Sequence, residues 1–354
     1  MNISSLDKNF KLTDSIDESD IVWLKADEFP FKVYGAAKTS PYLRLPSNVA
    51  ETVSEGVAIL SRHTAGIRVR FRTNSKKIAI FSKQPFSIMS HMPLTGICGY
   101  DLFSYKDGTQ TYLKTFVPPS DYKDSFTSSY DTDGVMTDYI INFPLYCEVY
   151  ELYIGLSPDA ETKEPSKYKN EKPVIFYGSS ITQGGCASRP GNCYQGFLSR
   201  RFDMDYVNLG FSGNCCGEKE IAEYMAGLSM SAFVCDYDHN APNPKHLKKT
   251  HFPLYETIRK AHPDIPYIMI SKPDFFNANP DIQKENSIRR EIVFDSFKKA
   301  INLGDKNVYF INGDSIFGED DHFACTVDGC HPNDLGFYRF YKTLEPFFKR
   351  FLND

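Results

Sequence analysis

Four short segments of this chain hold residue types that together can carry out acyl transfer. The first, Tyr177-Gly178-Ser179-Ser180-Ile181-Thr182-Gln183-Gly184, sets a serine among small residues. At the end of a strand such a turn can hold Oγ open to a substrate. The second, Asn208-Leu209-Gly210-Phe211-Ser212-Gly213-Asn214, is glycine-rich and able to aim backbone N–H groups at an oxyanion. The third, Asp236-Tyr237-Asp238-His239-Asn240, ends on a side-chain amide, and the fourth, Asp328-Gly329-Cys330-His331-Pro332, places a carboxylate three residues before an imidazole. A base must reach the nucleophile and be oriented by a third group, and that last spacing supplies both. An isolated Gly-Ser-Ser is more often a turn that closes a buried strand; the other three segments are what lend it chemistry.

The elements that must position these segments fall into two rhythms. From about 30 to 155 the chain reads as short strands broken by turn residues. In Gly66-Ile67-Arg68-Val69-Arg70-Phe71-Arg72-Thr73, Ile67, Val69 and Phe71 share one face and three arginines the other, the period of a half-buried antiparallel strand. Lys77–Phe81 and Leu145–Tyr150 repeat the theme, which predicts an antiparallel sandwich. The polar, proline-bearing stretch 157–172 reads as a linker. Beyond it, five apolar runs (Pro173–Gly178, Tyr206–Gly210, Ala232–Tyr237, Tyr267–Ser271, Val308–Asn312) alternate with helical patterns near 193–202, 217–228, 245–262, 284–303 and 334–351. Pro346 is placed to kink or shorten the last. Alternation of this kind predicts βαβ units on a parallel sheet, with chemistry at the carboxyl ends of its strands.

In this order on these strand ends, the four segments resemble the signature blocks of SGNH (GDSL-like) hydrolases. That resemblance implies an α/β chain: an amino-terminal antiparallel β-sandwich over 1–160, then a flavodoxin-like three-layer α/β/α domain over 172–354 with a five-stranded parallel sheet. It implies Ser180 as nucleophile, His331 as base and Asp328 as the acid that orients it. The oxyanion hole would draw on the N–H groups of Ser180 and Gly213 and the amide of Asn240. Ser179 stands where the family usually has aspartate, which leaves the implied triad intact. Gly99-Tyr100-Asp101-Leu102-Phe103 is similar to the Gly-x-Asp-Leu-Tyr mark of a subset with an accessory β domain, with phenylalanine in the last place. The implied activity is a serine esterase acting on short acyl, above all acetyl, esters of carbohydrates, with no cofactor and no metal. A glycan-binding protein with a weak or inactive hydrolase-like domain, or a lipolytic or thioester acylhydrolase, are the other readings.

A second string, Gly313-Asp314-Ser315-Ile316, matches the family consensus better, yet too little chain follows it to build an oxyanion hole. Asp236, Asp238 and His239 are metal-ligand types, but strand alternation would separate them and no HExxH spacing occurs. The remaining histidines carry no partner pattern; His91, shortly before the Gly-x-Asp-Leu segment, keeps a possible place where the halves meet. The cysteines near the proposed site read first as small buried packing residues; the sharper alternative is that one of Cys215 and Cys216 borders the cleft as a reduced thiol. Forty basic against 45 acidic residues, a net charge of −5, with no basic stripe, argues against a nucleic-acid partner. Nine cysteines without a repeating spacing do not describe a disulfide framework. The first residues show no basic and apolar leader, and no apolar run reaches membrane-spanning length, so a cytoplasmic protein acting on a small-molecule or oligosaccharide ester is expected, its oligomeric state open.

Overall fold

The computed structural model describes residues 20–38, 40, 42–273 and 279–352; the amino-terminal stretch read for a leader lies outside them. Strands β1 (Val22–Lys25), β4 (Lys77–Lys83), β7 (Ser125–Asp131) and β9 (Glu151–Leu156) form an antiparallel sheet in the order β1-β9-β4-β7. Against it lies a second antiparallel sheet, β10-β3-β8-β5-β6, built from β3 (Arg68–Thr73), β5 (Tyr100–Lys106), β6 (Thr109–Phe116), β8 (Thr137–Asn142) and β10 (Thr162–Lys163), with β2 (Lys32–Tyr34) paired to β3. Beyond them comes a five-stranded parallel sheet in the order β12-β11-β13-β14-β15: β11 (Asn170–Gly178), β12 (Met204–Gly210), β13 (Ala232–Asp236), β14 (Tyr267–Ile270) and β15 (Val308–Ile311). This is the expected mixed α/β architecture.

Side-chain alternation along β11 builds the layers. Val174 and Phe176 enter one hydrophobic cluster, which also holds Phe337, Phe340 and Phe348 of the last helix (Asp334–Phe348); Ile175 and Tyr177 enter a second, with Phe233 and Leu247. Pro346 lies inside the last helix, which runs two residues beyond it to Phe348. The first cluster continues without a break into the antiparallel sheets through Ile97, Leu145 and Tyr146, so the two halves share apolar packing.

Three local expectations are corrected. β3 is not half-buried, because Arg68 and Arg70 on its polar face are as covered as its apolar residues. The Arg68 guanidinium stacks 4.0 Å from the Tyr206 ring and pairs with Asp205, while Arg70 stacks 4.0 Å from Tyr168. Cation–π packing against Tyr206 of the parallel sheet and against Tyr168 thus takes the place of solvent. Tyr168 belongs to the stretch read as a linker, which is largely exposed but is tied down by that buried ring and by β10 on β3. Residues 145–150 form no strand beyond a single bridge of Glu148 to His63, because Leu145, Tyr146, Cys147 and Val149 are all buried rather than alternately so.

Candidate active site

The strand order decides what meets what. β11 lies between β12 and β13, so the turn after β11 has the turns after β12 and β13 on either side. The order reverses at this point, where open α/β sheets form their crevice. Gly178 closes β11 because a Cβ there would stand 2.3 Å from the Asp236 carbonyl oxygen of β13. Ser179 then caps a single helical turn, Ser180–Gln183, its Oγ accepting from the Ile181 N–H at 3.1 Å. A serine at the aspartate position of the family therefore does the capping work. Ser180 is the first helical residue, with its N–H outside the helical bonding pattern.

The structure brings Ser180, His331 and Asp328 together. His331 Nε2 lies 3.0 Å from Ser180 Oγ, and His331 Nδ1 lies 2.7 Å from Asp328 Oδ2. The other Asp328 oxygen accepts the N–H groups of Cys330 (3.0 Å) and His331 (2.7 Å). Partial burial works to raise the Asp328 pKa, but these hydrogen bonds outweigh it and hold the carboxyl below its ordinary value. It is therefore ionised wherever the imidazole needs an acceptor. The loop is fixed by a bridge of Thr326 to Pro332, by the Val327 N–H on the His331 carbonyl (3.0 Å), and by Gly329 at φ +82°.

Gly213 lies at φ +70° in the turn after β12, facing open space, and no hydrogen bond of its N–H is found among the described residues. Its neighbour Ser212 donates its N–H to Gln183 Oε1 at 3.0 Å. Asn240 lies in the turn after β13, half-buried; its Oδ1 has no partner among the described residues. The same holds for His239 Nε2, whose ring donates or accepts only at Nδ1, 3.1 Å from Asp238. Burial holds the His239 pKa down against the pull of Asp238.

Several residues hold this arrangement in ways that no spacing in the sequence announces. Gln183 ties the nucleophile turn to three places: Ser212, the Leu145 carbonyl (3.2 Å) and His63 Nδ1 (3.2 Å). Tyr146 donates its hydroxyl to the Ser180 carbonyl at 3.2 Å. Buried Arg44 spans the carbonyls of Asn208 (3.1 Å) and Gly210 (2.6 Å), bracing the end of β12. Asp101, in the Gly-x-Asp-Leu segment, is fully buried and accepts from the Gly191 N–H (2.8 Å), Arg189 (3.0 Å) and Asn142 (2.7 Å). That motif is a strut from β5 to the loop behind Ser180. Such long-range contacts leave no periodicity for a reader of the sequence to find.

Ser315 is brought to none of these groups; its hydroxyl donates to the Asn312 carbonyl at 2.8 Å. Among the described residues two clusters are of metal-ligand type, each with its ligand atoms within 4.8 Å: His91, Asp328 and His331; and Asp236, Asp238 and His239. The second corrects the expectation of separation, because β13 ends at Asp236 and the following turn folds Asp238 and His239 back. Each of its members has a protein partner: Asp236 accepts from Thr182 (3.1 Å), and Asp238 from the Lys272 N–H (3.0 Å). His91 packs edge-on to the His331 ring, centroids 5.4 Å apart, and so does reach the site from the antiparallel half. Cys215 is fully buried with its thiol on the Gly178 carbonyl, whereas half-buried Cys216 has a thiol pushed up to about 11 by burial and by Glu218. Neither is a reactive thiolate.

A model of the GDSL-like lipase/acylhydrolase family matches residues 171–349, and a model of the amino-terminus of SGNH-hydrolase-type esterases matches residues 21–162. Among solved structures, a protein from Bacteroides ovatus ATCC 8483 assigned as a GDSL-like lipase is 30% identical, with a TM-score of 0.86 over 94% of this chain and 98% of its own. A salicylyl-acyltransferase from a tetracycline biosynthetic pathway is 18% identical, with a TM-score of 0.74 over 91% of this chain and 95% of its own. A family two carbohydrate esterase from Clostridium thermocellum, in complex with cellohexaose, is 13% identical, with a TM-score of 0.57 over 81% of this chain and 92% of its own. The last two share the fold. No curated protein is a significant match. No helix among the described residues is long and apolar enough to cross a membrane.

Proposed function

We propose that this chain, which belongs to the GDSL-like lipase/acylhydrolase family and is a carboxylic ester hydrolase, removes short acyl groups, above all acetyl, from carbohydrate hydroxyls by way of an acyl-enzyme. The observation that carries the reading is the continuous relay Asp328–His331–Ser180, with contacts of 2.7 and 3.0 Å. Ser180 Oγ attacks the ester carbonyl while His331 Nε2 takes its proton, and Asp328 orients the ring and stabilises the imidazolium. The N–H groups of Ser180 and Gly213 and the Asn240 amide receive the developing oxyanion. His331 returns the proton to the leaving sugar hydroxyl, then activates the water that releases the acid.

The carbohydrate assignment draws on the likeness in fold to carbohydrate esterases. Phe323 and Val327 are exposed apolar side chains on the loop that leads to Asp328. Chain length is therefore the deciding test. With p-nitrophenyl acetate, butyrate and palmitate alongside acetylated xylo- and cello-oligosaccharides, kcat/KM is expected to fall at least tenfold from acetate to palmitate, with acetate released from the sugars. Equal kcat/KM for acetyl and palmitoyl esters would overturn the preference.

A further inference from the structure

On the outer face of the four-stranded antiparallel sheet, the pattern departs from the polar exterior that such a face ordinarily shows. Ile78, Ile80, Leu152, Ile154 and Leu156 point into the core, so Phe81, Tyr153 and Trp23 necessarily point out. Trp23 is the single tryptophan of the chain. It pairs across the ladder with Gly155, and a Cβ on that glycine would come within 2.8 Å of the indole. The indole therefore lies down over Gly155 rather than standing clear of the sheet. Phe81 meets it edge-on with centroids 6.3 Å apart, and Tyr153 meets Phe81 at 5.9 Å. Together they wall a hollow of about 480 Å³, within the size range of small-ligand sites, to which no residue of the parallel-sheet half contributes.

The polar rim of that hollow says what it would take. Lys83 and Glu151 pair at 3.2 Å, and the Tyr153 hydroxyl donates to the second Glu151 oxygen at 3.0 Å. Ser125 donates to Asp124 at 3.1 Å. Lysine and glutamate neutralise each other, so no basic patch is left to draw an anion, while several donors and acceptors remain to be shared. Aromatic faces beside paired hydrogen-bonding groups suit a neutral molecule with apolar C–H faces and many hydroxyls.

We propose that this hollow is a saccharide-binding site, separate from the Ser180 cleft, in which a sugar ring of a neutral oligosaccharide packs on Trp23 and Phe81 and shares hydrogen bonds with Glu151, Lys83 and Asp124. The proposal stands apart from the esterase reading, since binding here needs neither Ser180 nor His331. It also has a built-in reporter: all tryptophan emission comes from the proposed site.

Cellohexaose and xylohexaose are titrated against the full chain carrying Ser180→Ala, so that turnover plays no part, with Trp23 emission as the readout. A saturable change is expected with at least one of the two. It should weaken at least tenfold in Phe81→Ala and in Tyr153→Ala, with esterase activity on p-nitrophenyl acetate retained when Ser180 is restored. Because the aromatic variants also remove ring contacts within the sheet, Glu151→Gln, a smaller change on the rim, should weaken binding threefold or more at an unchanged melting temperature. Emission that ignores both oligosaccharides would overturn the proposal. So would emission that changes with protein concentration alone as a dimer forms, which would make the face a contact between copies.

Discussion

Two turns in this molecule follow a parallel strand with glycine, a small or acidic residue, and serine, and only one is placed to do chemistry. At the end of β11 comes Gly178-Ser179-Ser180, with Gly178 the strand's last residue; after β15 comes Gly313-Asp314-Ser315. Both glycines are required for the same reason: a Cβ at Gly178 would press on the Asp236 carbonyl, and one at Gly313 on the carbonyls of Ser271 and Lys272. The glycine of such a string thus reports close packing on the neighbouring strand end, not catalysis. What differs is position in the sheet. β11 has β12 and β13 on its two sides, whereas β15 is the edge strand with β14 alone beside it. The turn after β11 accordingly meets two other turns and His331. Ser315 is exposed and spends its hydroxyl on Asn312, and Asp314 pairs with Arg290.

The largest effect should come from testing the two serines directly. Ser180→Ala and His331→Ala are each expected to lower kcat on p-nitrophenyl acetate by on the order of 10⁴-fold or more, since members of such a unit fail together. Ser315→Ala should stay within about twofold of the parent, as a surface substitution does. Circular dichroism and a thermal melt establish that all three are folded. Comparable losses at Ser180 and Ser315 would break the comparison.

How much of this was legible beforehand follows from the same contrast. Strand period, helix period and the order of the four segments are local properties, and they were enough to rank Ser180 above the better-matching Ser315. The props are non-local. Nothing in residues 145–150 announces that Tyr146 will hold the Ser180 carbonyl, and an alternating Arg68-Val69-Arg70 looks like a solvated face until Tyr206 and Tyr168 are seen against it. The turn at Asp238 and His239 was misjudged because a strand period was extended past the strand's last residue, Asp236.

The next effect concerns the oxyanion donors proposed in the turns after β12 and β13, whose strands flank β11 and not β15. Asn240→Ala is expected to lower kcat by about 10²–10³-fold with a much smaller change in KM, because the lost hydrogen bond strengthens as charge develops. The matched control is Asn312→Ala, which removes the side chain that accepts the Asp314 N–H at 3.3 Å in the other turn and should leave kcat alone. A kcat for Asn240→Ala within threefold of the parent would remove the amide from the oxyanion hole and leave Gly213 and Ser180 to supply it.

The smallest effect is one of pH, and it too separates the turns. The Gln183 amide nitrogen can only donate, so its contact with His63 Nδ1 at 3.2 Å requires that nitrogen to be an unprotonated acceptor. Burial, helped by Arg44, holds the His63 pKa down to about 4, against an ordinary value near 6.5 in the unfolded chain. Below pH 6.5 the unfolded state therefore takes up a proton that the folded state refuses, and stability falls as pH falls, reaching a loss of about 3 kcal/mol near pH 4. At that point the imidazolium becomes a donor at Nδ1 and the Gln183 bond is lost, loosening the Ser180 turn, while the Ser315 turn contains no histidine. His63→Asn should flatten the dependence of the urea midpoint on pH between 6.5 and 4 relative to the parent. His251, fully buried and likewise held to about 4, contributes a slope that both proteins share, so the difference between them isolates His63. Parallel midpoint curves for the two proteins would mean that His63 is already free to charge in the folded state, and that Gln183 is held by Leu145 and Ser212 alone.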